Sequence, residues 1–170
     1  MIILSLGSNL QSKFGNRFEN LNLAMQHLKK EGIIINKKSS YYEIQSYPNK
    51  NKPKFINMVV EVKTDLLPIN LLLILINIEK LLGRQRRKKN DPRTCDIDII
   101  DYEGQVNEFL TQNPKLIIPH KDLSARNFVL FPLQEILPDW KHPKSKENVS
   151  ALIQKLPEED RKSILKIKKN

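Results

Sequence analysis

The sequence predicts an α+β fold, an antiparallel sheet with helices packed on it and short elements added at the C-terminal end. Three observations lead there. Apolar and β-branched runs alternate with two longer stretches of helical period along residues 2–102. Turn-forming residues punctuate them, among them Gly7-Ser8-Asn9, Gly32, the 47–54 segment and Gly83. The 170 residues contain no internal repeat and no long linker, so 1–170 reads as a single domain able to bury a core.

Residues 2–6 are mainly β-branched or apolar and read as the first strand, with Gly7-Ser8-Asn9 as a turn leading into a helix. Over 16–30, Phe18, Leu21, Met25 and Leu28 recur at helical spacing, and Gly32 lies just past the end. Residues 33–44, with Ile33, Ile34, Ile35, Tyr41, Tyr42 and Ile44, carry strong β preference and read as one strand. The 47–54 segment, with two prolines and two asparagines, is a loop. In 55–62, Ile56, Met58, Val60 and Val62 alternate against Asn57 and Glu61, a strand pattern. Residues 65–82 form a second helix, apolar almost all round and therefore expected to be well buried, closing at Gly83. Residues 95–102 give a further strand. Beyond 103 come short pieces at 116–118, 128–136 and 149–156. The order strand, helix, strand, strand, helix, strand is the ferredoxin-like βαββαβ arrangement, with both helices on one face of the sheet.

Composition narrows the function. The formal net charge is +10, from 29 Lys plus Arg against 19 Asp plus Glu, which favours anionic partners: nucleic acid, anionic lipid or phosphorylated small molecules. Part of that excess, such as Arg161, Lys162, Lys166, Lys168 and Lys169, reads as a solvating surface. Cys95 is the only cysteine, so no intrachain disulfide exists and a reducing, cytoplasmic setting is expected. Residues 1–7 look like a strand rather than a secretory leader. The longest apolar stretch, 66–78, is interrupted by Pro68, Asn70 and Asn77 and falls short of the ~20 residues a membrane span needs.

Asp96-Ile97-Asp98-Ile99 is the most informative segment. In a strand both carboxylates share one face while Cys95, Ile97 and Ile99 share the other. Two carboxylates so placed repel, and a bound divalent cation relieves the conflict. Hard oxygen ligands without flanking His or Cys favour Mg²⁺ over zinc. Just upstream, 84–90 (Arg84-Gln85-Arg86-Arg87-Lys88-Lys89-Asn90) carries five positive charges in seven residues, joined to the aspartates through Pro92-Arg93-Thr94. A charge run of this kind also suits a solvated loop or a nucleic-acid contact. Next to a two-carboxylate metal site it is what phosphoryl transfer requires.

Gly83-Arg84 followed by Pro92-Arg93-Thr94-Cys95-Asp96-Ile97-Asp98 resembles the signature of the 6-hydroxymethyl-7,8-dihydropterin pyrophosphokinases. Leu6-Gly7-Ser8-Asn9-Leu10, Phe55-Ile56-Asn57, Glu79, Pro119-His120, and Arg126-Asn127-Phe128-Val129-Leu130 with Pro132-Leu133 match in the same order. The similarity runs over residues 2–138; 139–170 reads as a C-terminal extension of the same domain.

The resemblance implies transfer of pyrophosphate from ATP to the pterin hydroxymethyl group, with release of AMP. Asp96 and Asp98 match the residues that hold a pair of Mg²⁺ ions, and Arg84 and Arg93 match arginines that assist transfer. Glu79, Arg87, Ile99, His120 and Arg126 match nucleotide-side positions. Phe55 and Phe128 match aromatics that sandwich the pterin, Asn57 matches a residue bonding its edge, and Ile44, Gln45 and Tyr47 match the loop lining its pocket. The family shows no obvious protein general base. The run Glu43-Ile44-Gln45-Ser46-Tyr47-Pro48 departs from its Thr, Pro and Gly pattern, and the basic loop lacks an aromatic residue.

Without the resemblance, Phe55 and Phe128 fit core positions, Asn57 an exposed strand face, Glu79 a cap or a partner of the basic loop, and His120 an ordinary loop residue. His27 reads as surface and Cys95 as core. The expected partners are small molecules, ATP and a reduced pterin, with no nucleic acid and no membrane, acting on a monomer. The rival reading is a basic ferredoxin-like RNA-binding module, but no central strand carries the aromatic pattern of that class. A nucleotidyltransferase would place its Gly-Ser close to its paired aspartates, whereas Gly7-Ser8 lies far upstream of Asp96.

Overall fold

The computed structural model describes residues 1–46, 51–84, 91–109 and 115–167. Its elements follow in chain order: β1 (Ile2–Ser8), α1 (Arg17–Lys30), β2 (Ile34–Lys38), β3 (Tyr42–Ile44), β4 (Phe55–Lys63), α2 (Pro68–Leu81) and β5 (Asp96–Tyr102). A hairpin of β6 (Asn107–Phe109) and β7 (Leu116–Ile118) comes next, then α3 (Asn127–Ile136), α4 (Val149–Lys155), α5 (Glu158–Lys162) and β8 (Leu165–Lys166). The main sheet is antiparallel, in the order β5-β1-β4-β3-β8, with β2 also pairing β4.

Local chemistry explains the element ends. Asn16 accepts hydrogen bonds from the Phe18 and Glu19 N–H groups, while the Glu19 carboxylate accepts from Asn16 N, so both sides of a capping box start α1. The second helix begins at Pro68 rather than 65, because proline suits the first helical position and holds Leu67 extended. Gly83, at φ +86°, takes the left-handed conformation that ends it.

Two expectations need correction. The 33–44 segment is two strands, not one. Between them Ser39 exchanges bonds with Val59, its hydroxyl accepting Val59 N–H at 3.0 Å, which replaces a ladder pair and breaks the strand. Nor is α2 buried all round: Leu71, Leu75 and Ile78 are in the core, whereas Leu73 and Leu81 are each 49% exposed.

The sheet has an apolar layer on each face. On one, Leu4, Leu6, Met58, Val60, Ile97 and Ile99 pack against α1 and α2. On the other, Ile3, Val59 and Ile100 pack against Val129, Leu130 and Leu133 of α3 and the residues of α4. That second layer stops short of one end of the sheet. There β1 reads Ile3, Ser5, Gly7 on the α3 side, and its register pairs Ser5 with Asp98 and Gly7 with both Asp96 and Asn57. The shrinking side chains leave a cavity.

Candidate active site

The cavity measures about 290 Å³ and is lined by Ser5, Gly7, Ile44, Gln45, Phe55, Asn57, Arg93, Asp96, Asp98, Arg126 and Phe128. Strand alternation puts both aspartates on its wall, while Cys95, Ile97 and Ile99 go to the core. Gly7 is part of β1, not a turn, and what it supplies is the absence of a Cβ: one built there would sit 2.9 Å from Asn57 Oδ1 and 3.7 Å from Phe55. Asn57 is 3% exposed, not on an open face, and its Nδ2 has no hydrogen-bond partner among the described residues. A buried amide donor aimed at a cavity calls for an acceptor from a ligand.

Each aspartate is held by guanidinium groups. Asp96 receives Arg84 Nη1 at 2.5 Å and Arg93 Nη1 at 2.8 Å; Asp98 receives Arg126 Nη1 at 2.8 Å, with His120 Nε2 3.8 Å away. Arg93 also lies over the Phe55 ring and Arg126 over the Phe128 ring, 5.6 and 5.5 Å from the centroids. Carboxylates, cations and aromatic rings thus form two parallel chains, Asp96–Arg93–Phe55 and Asp98–Arg126–Phe128. Phe55 and Phe128 are half-buried and line the cavity.

Positions behind this wall are fixed by buried polar groups. Glu79, 2% exposed, accepts Ile97 N–H at 2.8 Å and pairs with Arg84, anchoring the start of β5 to the end of α2. Burial disfavours the charge on Arg84, but Asp96 and Glu79 outweigh it and raise the pKa of its guanidinium. Asn9 accepts Arg93 N–H at 2.7 Å and donates to Ser46 Oγ and Pro53 O, so one side chain joins β1 to both flanking loops.

Burial lowers the His120 pKa, with Asp98 pulling it up and Arg126 pushing it down, so the imidazole is neutral near pH 7. Its Nδ1 accepts Asp122 N–H, which leaves the proton on Nε2, toward Asp98. Burial, with Glu79 and Asp96 nearby, pushes the Cys95 thiol well up; it is a protonated core residue.

The structure therefore gathers Arg84, Arg93, Asp96, Asp98, Arg126, His120, Phe55, Asn57, Phe128, Ile44 and Gln45 at one end of the sheet. Ile99 has its side chain, 2% exposed, in the opposite layer, as strand alternation requires, so what it can offer a nucleotide is its backbone. Tyr47 and Arg87 lie outside the described residues. Ser5 and the close approach at Gly7 were missed by sequence reasoning, although the Ile3, Ser5, Gly7 taper on alternate positions carries the signal.

Asp96 and Asp98 offer hard oxygen donors, and among the described residues no cluster of three or more His, Cys, Asp or Glu forms a complete cage. Such a donor set fits Mg²⁺ shared with a polyphosphate, since that ion keeps waters and takes one or two carboxylates plus substrate oxygens. No helix among the described residues is long and apolar enough to cross a membrane.

Comparison with known proteins converges on one family. The sequence model of 7,8-dihydro-6-hydroxymethylpterin-pyrophosphokinase matches residues 3–138. The 2-amino-4-hydroxy-6-hydroxymethyldihydropteridine pyrophosphokinase of Aquifex aeolicus is 38% identical over 142 residues, covering 84% of this chain and 83% of that protein. Its namesake in Synechocystis is 36% identical over 155 residues, covering 91% and 75%. Folic acid synthesis protein fol1 of Schizosaccharomyces pombe is 38% identical over 155 residues, and there the chain spans only 20% of the relative's length. Among solved structures, wild-type Plasmodium falciparum HPPK-DHPS superposes with a TM-score of 0.68 at 17% identity, covering 91% of this chain and 44% of that one, a likeness of fold.

Proposed function

The chain belongs to the 7,8-dihydro-6-hydroxymethylpterin-pyrophosphokinase family, and we propose that it transfers pyrophosphate from ATP to the hydroxymethyl group of 6-hydroxymethyl-7,8-dihydropterin in folate synthesis. One observation carries the reading: Asp96 and Asp98 share a single cavity with Phe55, Phe128 and the unpartnered Asn57 amide. A site for a metal-bound polyphosphate thus adjoins a slot for a flat, hydrogen-bonding heterocycle.

The pterin hydroxyl oxygen attacks the β-phosphorus of ATP. Its bond to the oxygen bridging to the α-phosphate breaks, AMP leaves, and the hydroxyl proton passes to solvent. Phe55 and Phe128 hold the ring by its faces, and Asn57 Nδ2 donates to an acceptor on its edge. Asp96 and Asp98 would hold Mg²⁺, two ions in this reading, and the metal would supply neutralisation of phosphate oxygens. Arg84, Arg93 and Arg126 already face the same carboxylates, and each can turn to phosphate; an arginine so placed is worth ~10³–10⁵ in rate. His120 and Arg126 take the nucleotide side, with Glu79 positioning Arg84. No protein base is required, because orientation and charge stabilisation carry the step. The strand order is in keeping with a ferredoxin-like core, and the reading is of a cytoplasmic monomer whose partners are small molecules.

The test is AMP release on mixing the protein with ATP, Mg²⁺ and the pterin. Pterin-dependent AMP is expected, and Asp96→Ala should reduce it by about 10³-fold or more. A protein that binds neither ATP nor the pterin would overturn the reading.

A further inference from the structure

Residues 157–167 include no fully buried side chain, though Ile164 and Ile167 are half-buried. No residue of α5 is buried, and Leu165 in β8 is 61% exposed. The segment is nevertheless tied down by polar contacts, and these converge on two elements that wall the cavity.

The first is α3. Its N-cap residue, Arg126, makes no side-chain capping bond, so the first turn lacks the usual anchor. Asn127, 8% exposed, supplies one instead. Its Nδ2 donates to Asp160 O at 2.7 Å and Ser163 Oγ at 3.1 Å, while Oδ1 accepts Phe128 N–H at 2.7 Å. Its neighbours on either side, Arg126 and Phe128, line the cavity.

The second is β3, only three residues long and ending at Ile44, beside Gln45. Its outer edge is covered by β8, in the register Tyr42 with Lys166 and Glu43 with Leu165, and Ile167 N donates to Tyr41 O at 2.8 Å. Lys166 Nζ reaches Glu135 Oε1 of α3 at 3.2 Å, and the Glu135 carboxylate also accepts from Tyr42 OH. One segment therefore joins the Phe128 wall to the Ile44–Gln45 wall from outside.

We propose that residues 157–167 are a strap setting the separation of the two pterin-facing walls, with Asn127 a positioning residue behind Phe128; this rests on the pyrophosphokinase reading. Because the strap adds no fully buried apolar side chain, only the half-buried Ile164 and Ile167, its loss should be felt in the pocket more than in global stability.

Two full-length variants test it. Asn127→Ala cuts the tie to α3, and Ile167→Pro removes the N–H that bonds Tyr41 without touching the pocket. Binding of 6-hydroxymethyl-7,8-dihydropterin and of Mg²⁺ with a non-hydrolysable ATP analogue is titrated separately, alongside the unfolding midpoint. The strap predicts pterin binding weakened about tenfold in Asn127→Ala and severalfold in Ile167→Pro, with nucleotide binding within about twofold of wild type. Unchanged pterin affinity in both variants overturns it. So does equal weakening of both ligands together with a lowered midpoint, the mark of a merely structural role. A wild-type protein that binds the nucleotide but no pterin defeats the pyrophosphokinase reading itself.

Discussion

A methyl group at position 7 would fall 2.9 Å from Asn57 Oδ1, closer than van der Waals contact allows, so the buried Asn57 side chain would have to shift. Gly7→Ala is therefore expected to push the Asn57 amide out of line, costing about 1–3 kcal/mol of stability and weakening pterin binding. Urea unfolding and pterin titration measure both, and full retention of pterin affinity would refute the close-approach argument. Asn57 itself makes the opposite trade. Its Nδ2 is a buried donor with no partner among the described residues, a destabilising state without ligand. Asn57→Leu should thus leave stability unchanged or raise it, by up to ~1–3 kcal/mol, while pterin affinity falls at least about tenfold. A variant that is less stable and still binds pterin normally would show that the amide serves the fold.

At the scale of elements, Glu135 ties α3 to the edge of the sheet. It accepts from Ser40 N, Ser40 Oγ and Tyr42 OH and pairs with Lys166. Burial alone would raise its pKa; the bonds from Ser40, Tyr42 and Lys166 outweigh that and hold it below the ordinary glutamate value of 4.5. A carboxyl whose folded pKa is depressed stabilises in full above its unfolded value and loses that contribution as pH falls through the folded one. Wild type should therefore exceed Glu135→Gln in urea midpoint near about pH 7, with the gap closing below about pH 4.5; a gap unchanged near pH 3 contradicts this. None of this was legible in the sequence, because it joins residues 40, 42, 135 and 166, which no local pattern connects. The strands and helices of the first hundred residues were legible because period and turn chemistry are local. So were Asp96 and Asp98, whose shared face follows from alternation alone. Where polar groups overrode propensity, as at Ser39, the single strand expected over 33–44 came out as two.

At the scale of the whole molecule, the family match ends at residue 138 but the apolar layer beneath α3 does not. Trp140, Val149, Leu152, Ile153 and Leu156 lie within it, none more than 6% exposed, and the Trp140 indole donates to the buried Asp101 of β5 at 2.8 Å. At roughly 2 kcal/mol for each large apolar side chain removed from water, these five represent about 10 kcal/mol. That is comparable to the whole stability of an ordinary domain, about 5–15 kcal/mol. Removing them would also leave Ile3, Val59 and Ile100, the floor on which α3 sets Arg126 and Phe128, open to water on one side. A chain ending at residue 138 should accordingly lose cooperative unfolding and both ligand affinities together, even though it retains every proposed site residue. Circular dichroism melting of that truncation beside the full chain decides the matter. A sharp transition with intact nucleotide binding would mean that residues 139–170 are an appendage; its loss would make them part of the single folding unit that builds the site.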